Sequence, residues 1–122
     1  MATIRYIVRD VDESVRFYCD HLGFHIANDM RPAFASVSKG DLELWLAGPG
    51  ASASRPMPDG RQPAPGGWNR FVIEVDDIDA LVTRLKAAGH RFRNNVITGP
   101  GGKQTLLEDP SGNPIEIFQP AR

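Results

Sequence analysis

This 122-residue chain repeats itself, and the repeat constrains its fold more than any other feature of the sequence. Val8-Arg9-Asp10-Val11-Asp12 corresponds to Val75-Asp76-Asp77-Ile78-Asp79, and each stretch leads into apolar residues at helical spacing that stop at a glycine, Gly23 or Gly89. Gly40, followed by the Leu-Glu-Leu-Trp of residues 42–45, matches Gly112 followed, after an extra residue, by the Ile-Glu-Ile-Phe of residues 115–118. Each half therefore reads as strand, helix, then three strands. Each half has one apolar sheet face for its helix, which leaves the other face free to meet its counterpart around a common concavity.

The elements follow from periodicity. Thr3 to Arg9 alternates, offering Ile4, Tyr6 and Val8 to one face and Thr3, Arg5 and Ile7 to the other. Asp10, three residues before Glu13, makes a helix start, and Val11, Val15, Phe17, Tyr18 and Leu22 form its apolar stripe. Short strands are expected at Phe24 to Asn28 and Phe34 to Ser38. A further strand, Leu42 to Ala47, sets Leu42, Leu44 and Leu46 opposite Glu43 and Trp45. In the second half the expected strands are Arg70 to Asp76, His90 to Asn94, Gln104 to Glu108 and Ile115 to Gln119, with a helix capped by Asp77 and running through Ile78, Leu81, Val82 and Leu85. Asp109 to Pro114 reads as a tight turn rather than a calcium loop, because it lacks repeated oxygen-ligand spacing. Gly99 to Lys103 has no following helix or Ser/Thr and is not a phosphate loop, although Lys103 or Gln104 could meet an anionic ligand. Between the halves, Gly48 to Gly67 holds five of the ten prolines and five of the twelve glycines, so the expected organisation is module one 1–47, a Pro/Gly-rich connection 48–67 and module two 68–122.

Charge and composition exclude several classes. A formal net charge of -1 with scattered basic residues gives no footprint for nucleic acid or an anionic membrane. Apolar runs of only a few residues, and an N-terminus without basic-then-apolar order, point to a cytoplasmic protein. The single cysteine, Cys19, lies in a helical pattern and reads as a packed or bystander thiol. His21, His25 and His90 lack mutual metal-ligand spacing.

The stretches DVDESVRFYCDHLGF, VDDIDALVTRLKAAG and LLEDPSGNPIEIF resemble, in order and spacing, the vicinal oxygen chelate superfamily of glyoxalases, bleomycin-resistance proteins and extradiol dioxygenases. The resemblance implies an α+β fold of two βαβββ modules forming a curved mixed sheet around a central cup, with helices on the outer face. It also implies a homodimer and a small-molecule ligand. Enzymes of this superfamily hold a divalent ion with side chains from the first and fourth strands of each module. Those positions fall here on Thr3, Glu43, Arg70 and Glu116, and the repeat pairs Thr3 with Arg70 and Glu43 with Glu116.

The departures from the superfamily pattern decide what the cup can do. Glu43 and Glu116 could ligate strongly, threonine is at best a weak oxygen ligand, and arginine has donors but no free lone pair. At about 4 Å and an effective dielectric of about 20, one unit charge opposes another by about 4 kcal/mol, and a divalent ion by about twice that. Arg70 is therefore expected to take the ion's electrostatic place by neutralising Glu116, Glu43 or both, or by anchoring an acidic ligand. The expected binding residues are Arg70, Glu43, Trp45, Phe118, Thr3, Arg5 and Trp68, with Glu116 as the candidate general base. Arg5 and Glu74 share the parity of these positions and could pair with each other. No metal cofactor is expected. The alternatives are a lyase or dioxygenase that holds Zn, Ni, Mn or Fe through Glu43 and Glu116, and a non-catalytic drug-sequestering protein.

Overall fold

The computed structural model describes residues 2–122, which fall into two compact units divided between Gly66 and Gly67. The first contains β1 (Ala2–Ile7), α1 (Val11–Leu22), β2 (His25–Met30), β3 (Phe34–Lys39) and β4 (Leu42–Ala47). The second contains β5 (Val72–Glu74), α2 (Ile78–Ala87), β6 (Ile97–Gly99), β7 (Gly102–Glu108) and β8 (Pro114–Pro120). Each unit has one four-stranded sheet, ordered β1-β4-β3-β2 and β5-β8-β7-β6, so the same βαβββ topology is executed twice. In both sheets the first strand lies parallel to the fourth and the remaining pairs are antiparallel. This is the expected α+β architecture.

The helices begin where the aspartates put them. The Asp10 carboxylate accepts the Glu13 backbone N–H at 3.1 Å, and the Asp77 carboxylate accepts that of Ala80 at 3.1 Å. Each cap satisfies a donor that the first helical turn leaves over, worth roughly 1 kcal/mol. Gly23 ends α1 in the left-handed conformation, φ 76°, and the Lys39 ammonium donates to the Leu22 carbonyl there at 2.9 Å. The apolar stripe of α1 buries Val11, Val15, Phe17, Tyr18 and Leu22, and α1 packs on β2, β3 and β4. α2 buries Ile78, Leu81 and Leu85, packing on β8, and the Gln119 side chain accepts the Ile78 N–H at 2.8 Å.

Alternation then divides each sheet into a buried and an open face. Leu44 and Leu46 of β4 are fully buried, as are Ile115 and Ile117 of β8, while Glu43, Trp45, Glu116 and Phe118 lie on the half-exposed side. The turn before β8 is built as expected: the buried Asp109 carboxylate accepts the N–H groups of Ser111 and Asn113, both at 2.9 Å.

Two strands differ from expectation. The strand expected over Arg70 to Asp76 is confined to Val72–Glu74, although bonds from Glu116 N–H to the Phe71 carbonyl and from Val75 N–H to that of Phe118 prolong the pairing at either end. Arg70 thus stands ahead of the strand rather than within it. The strand expected over His90 to Asn94 does not form, and only a bridge between Phe92 and Leu107 is made there. The edge strand is β6, three residues beyond Asn94. A side chain causes the break: Leu106 N–H donates to the Asn94 carboxamide oxygen at 2.9 Å, where a continuing ladder would use a main-chain carbonyl.

Candidate functional site

On the open face of the second sheet, β5, β8 and β7 set Val72, Glu116 and Leu106 in one row, and Glu74, Phe118 and Gln104 in the next. Arg70 reaches this face from just before β5. Its Nη2 lies 2.8 Å and its Nε 3.1 Å from the same oxygen of Glu116, Oε1, while Nη1 donates to the Trp68 carbonyl at 3.2 Å. The Glu116 side chain is 14% exposed and that of Arg70 32%, so this is a partly sheltered, charge-assisted contact. The expected neutralisation of Glu116 is therefore made.

The first sheet solves the same problem with different chemistry. Glu43 Oε2 accepts the Trp45 indole N–H at 2.6 Å, two residues along the same strand face. Trp45 stands edge-on to Phe34 at 6.0 Å between ring centroids, and the Arg5 guanidinium sits 4.9 Å from its ring. Arg5 is thus engaged with an aromatic face. Thr3 lies directly opposite Glu43 in the ladder. In the second sheet the residue directly opposite Glu116 is Val72, and Arg70 comes two residues earlier. The repeat that pairs Thr3 with Arg70 is therefore not kept in register, and Arg70 reaches Glu116 because its side chain is long.

Trp68 is 68% exposed and carries the Arg93 guanidinium 4.5 Å from its ring. Arg93 also bonds Glu108 Oε2 at 2.9 Å, the Gly112 carbonyl at 2.9 Å and the Gly67 carbonyl. It fastens the segment whose Trp68 carbonyl holds Arg70. Nothing in the sequence marks Arg93 for this role, because its partners lie 15 to 26 residues away. Asn94 also escapes a sequence reading, although with Arg70, Gln104 and Glu116 it lines a small cleft on this face. Lys103 is paired with Asp79 at 3.2 Å.

Burial pushes the Cys19 thiol above its ordinary range, with Asp20 adding and Arg31 opposing. Hydrogen bonds from the Arg31 side chain hold Asp29 below the usual carboxylate range. Neither group lies on the open faces just described.

The arrangement does not suit a divalent ion at Glu116. Among the described residues no three His, Cys, Asp or Glu side chains gather as a ligand set, and one oxygen of Glu116, Oε1, is already held by the Arg70 guanidinium, whose positive charge opposes a cation there. What the faces offer instead is aromatic surface beside neutralised or hydrogen-bonded carboxylates.

Residues 1–117 match the family model described as the Glyoxalase/Bleomycin resistance protein/Dioxygenase superfamily. The chain is 32% identical over 121 residues to the uncharacterized protein YaeR of Escherichia coli (strain K12), covering 95% of this chain and 92% of that one. It is 29% identical over 120 residues to a bleomycin resistance protein of Geobacillus stearothermophilus, covering 92% and 90%. Among solved structures it resembles TnmS3, an antibiotic binding protein from Streptomyces sp. CB03234, with a TM-score of 0.72, 27% identity and coverage of 98% of this chain and 93% of that one. With a family match that spans nearly the whole chain and a fold repeated in its two units, this protein belongs to the glyoxalase/bleomycin resistance/dioxygenase superfamily.

Proposed function

We propose that the protein binds a small organic molecule on the aromatic-bearing open faces of its sheets, without the divalent ion that enzymes of the superfamily use, and that it does so as a homodimer. One observation carries the reading: the Arg70 guanidinium bonds Glu116, the residue the family pattern offers to a metal. Trp45 supports it, because its indole N–H occupies one oxygen of Glu43, the other carboxylate of that pattern. Similarity to a bleomycin resistance protein and to an antibiotic binding protein favours sequestration of a ligand over turnover. In this reading Trp45 and Phe118 supply apolar contact, Arg70 and Glu116 form a neutral polar floor, Thr3 and Arg5 flank Glu43, and Trp68 borders the second site.

The test is metal analysis after refolding with zinc, nickel, manganese or iron. The expected result is no ion held through gel filtration and no rise in the thermal midpoint. One tightly held ion per chain, with a midpoint gain that Glu116→Gln abolishes, would sink the metal-free reading and favour the alternative of a metal-dependent lyase or dioxygenase using Glu43 and Glu116. Arg70→His removes the permanent charge and adds a ligand, and is expected to create measurable metal affinity. No gain in that variant would overturn the role given to Arg70.

A further inference from the structure

The open face of the second sheet holds a cleft of about 90 Å³ lined by Arg70, Asn94, Gln104, Glu116 and the side chains around them. At ~30 Å³ per water this is room for about three waters, enough for one small planar group but not a whole drug-sized molecule. Its polar groups have fixed roles. The Asn94 carboxamide oxygen accepts from the Leu106 N–H at 2.9 Å and from the Thr105 hydroxyl at 3.0 Å. A backbone N–H can only donate, so the atom facing it must be the oxygen, and the group Asn94 can offer the cleft is its NH2. Glu116 spends Oε1 on Arg70, and among the described residues Oε2 accepts nothing, so it remains free for a ligand N–H. The Gln104 side chain, as distinct from its paired backbone, makes no hydrogen bond among the described residues and can both donate and accept.

Donor and acceptor line the same cleft from either side of Leu106, whose N–H bonds the Asn94 side chain and which lies directly opposite Glu116 in the β7–β8 ladder. The electrostatics are settled as well: the charges of Arg70 and Glu116 are spent on each other, so the cleft attracts neither an anion nor a cation strongly. Around this pair lie the half-exposed side chains of Ile97 and Leu106, which favour a flat group over a strongly hydrated one.

We propose that this cleft recognises a neutral, planar carbonyl and N–H unit, as in a lactam, a ureide or a primary amide, carried by the small molecule that the protein binds. The ligand carbonyl accepts from the Asn94 NH2, the ligand N–H donates to Glu116 Oε2, and Gln104 completes whichever edge is left. This rests on the small-molecule reading above and adds the chemical class of one group of the ligand.

The experiment uses three ring-sized probes, neutral 2-pyridone, anionic benzoate and cationic benzamidine, titrated into the wild-type protein with side-chain amide resonances followed by NMR. The expected result is saturable movement of the Asn94 and Gln104 side-chain amides with 2-pyridone, and binding of benzoate and benzamidine at least about tenfold weaker. Asn94→Asp keeps an oxygen for Leu106 N–H and the Thr105 hydroxyl but removes the donor, so it should weaken 2-pyridone about tenfold and reverse the preference toward benzamidine. Benzoate binding as tightly as 2-pyridone, or an Asn94 amide unmoved at saturation, overturns the inference while leaving the small-molecule reading standing. No saturable binding of any probe to the wild-type protein overturns it too, whereas the metal-free part of the reading above is decided separately, by the metal analysis. Should Asn94→Asp fail to fold, the wild-type titrations decide alone.

Discussion

At the scale of single residues, the contact between Arg70 and Glu116 was legible because charge and strand parity both pointed to it. Glu43 stood open beside Glu116 as its partner and Glu74 shares the same parity, and the register of β5 on β8 is what brings Arg70 to Glu116. The bond between Glu43 and Trp45 was not legible, since an indole two residues along the same face can turn toward a carboxylate or away from it, and only packing decides. Here Phe34 stands edge-on to Trp45 while Arg5 sits over its ring. The Glu116 side chain is 14% exposed and loses its charged donors in Arg70→Met, which should therefore cost about 1–2 kcal/mol of stability. Arg70→Met combined with Glu116→Gln should recover part of that loss, because the sheltered charge goes together with its partner. Urea unfolding of both variants checks this, and a double variant no more stable than Arg70→Met would show that the loss lies elsewhere.

At the scale of elements, the helices and their starts were read residue for residue from Asp10 and Asp77, because a cap is a local device whose donor and acceptor lie three residues apart. Edge strands were not, because they depend on partners distant in sequence. The strand expected at His90 to Asn94 ends when the Asn94 side chain takes a ladder hydrogen bond, and alternation of apolar residues carries no sign of that. The tight connection from β6 to β7 shows a second such dependence. Gly102 has φ 141°, and a Cβ built there would lie 2.1 Å from the Gln119 carbonyl oxygen of β8. The obstacle is backbone in a paired strand, so it cannot swing aside as a flexible side chain would. Gly102→Ala should cost about 2–3 kcal/mol and disturb the β6–β7 end of the sheet first. Amide hydrogen exchange should show this as faster exchange at Thr98 and Lys103 than at Leu107, which pairs further along. Uniform exchange along β7 would contradict it.

At the scale of the whole molecule, the duplication was visible in the sequence but its register was not. Repeating motifs align β1 with β5 through the helices and β4 with β8 through the glycine turns, yet Thr3 faces Glu43 whereas Val72 faces Glu116. That two-residue offset makes the halves chemically unequal, and the second unit also carries exposed apolar side chains. Trp68, Val72 and Ile97 are each at least half exposed. Scattered exposed apolar residues are ordinary, but Val72 lies beside Glu116 and Ile97 pairs with Gln104, which adjoins Phe118 in the ladder. A group of this kind on one sheet face is a candidate for cover by a second copy of the chain. If a dimer covers it, sedimentation equilibrium at micromolar concentration should give twice the 13.4 kDa of one chain, and the thermal midpoint should rise with protein concentration as mass action requires. Ile97→Asp would bury a charge in that contact and should lower the mass toward one chain, while the isolated fold, in which Ile97 is exposed and faces the uncharged Gln104, should tolerate it. A wild-type midpoint independent of concentration, together with a mass of one chain, would leave the open face to the ligand alone.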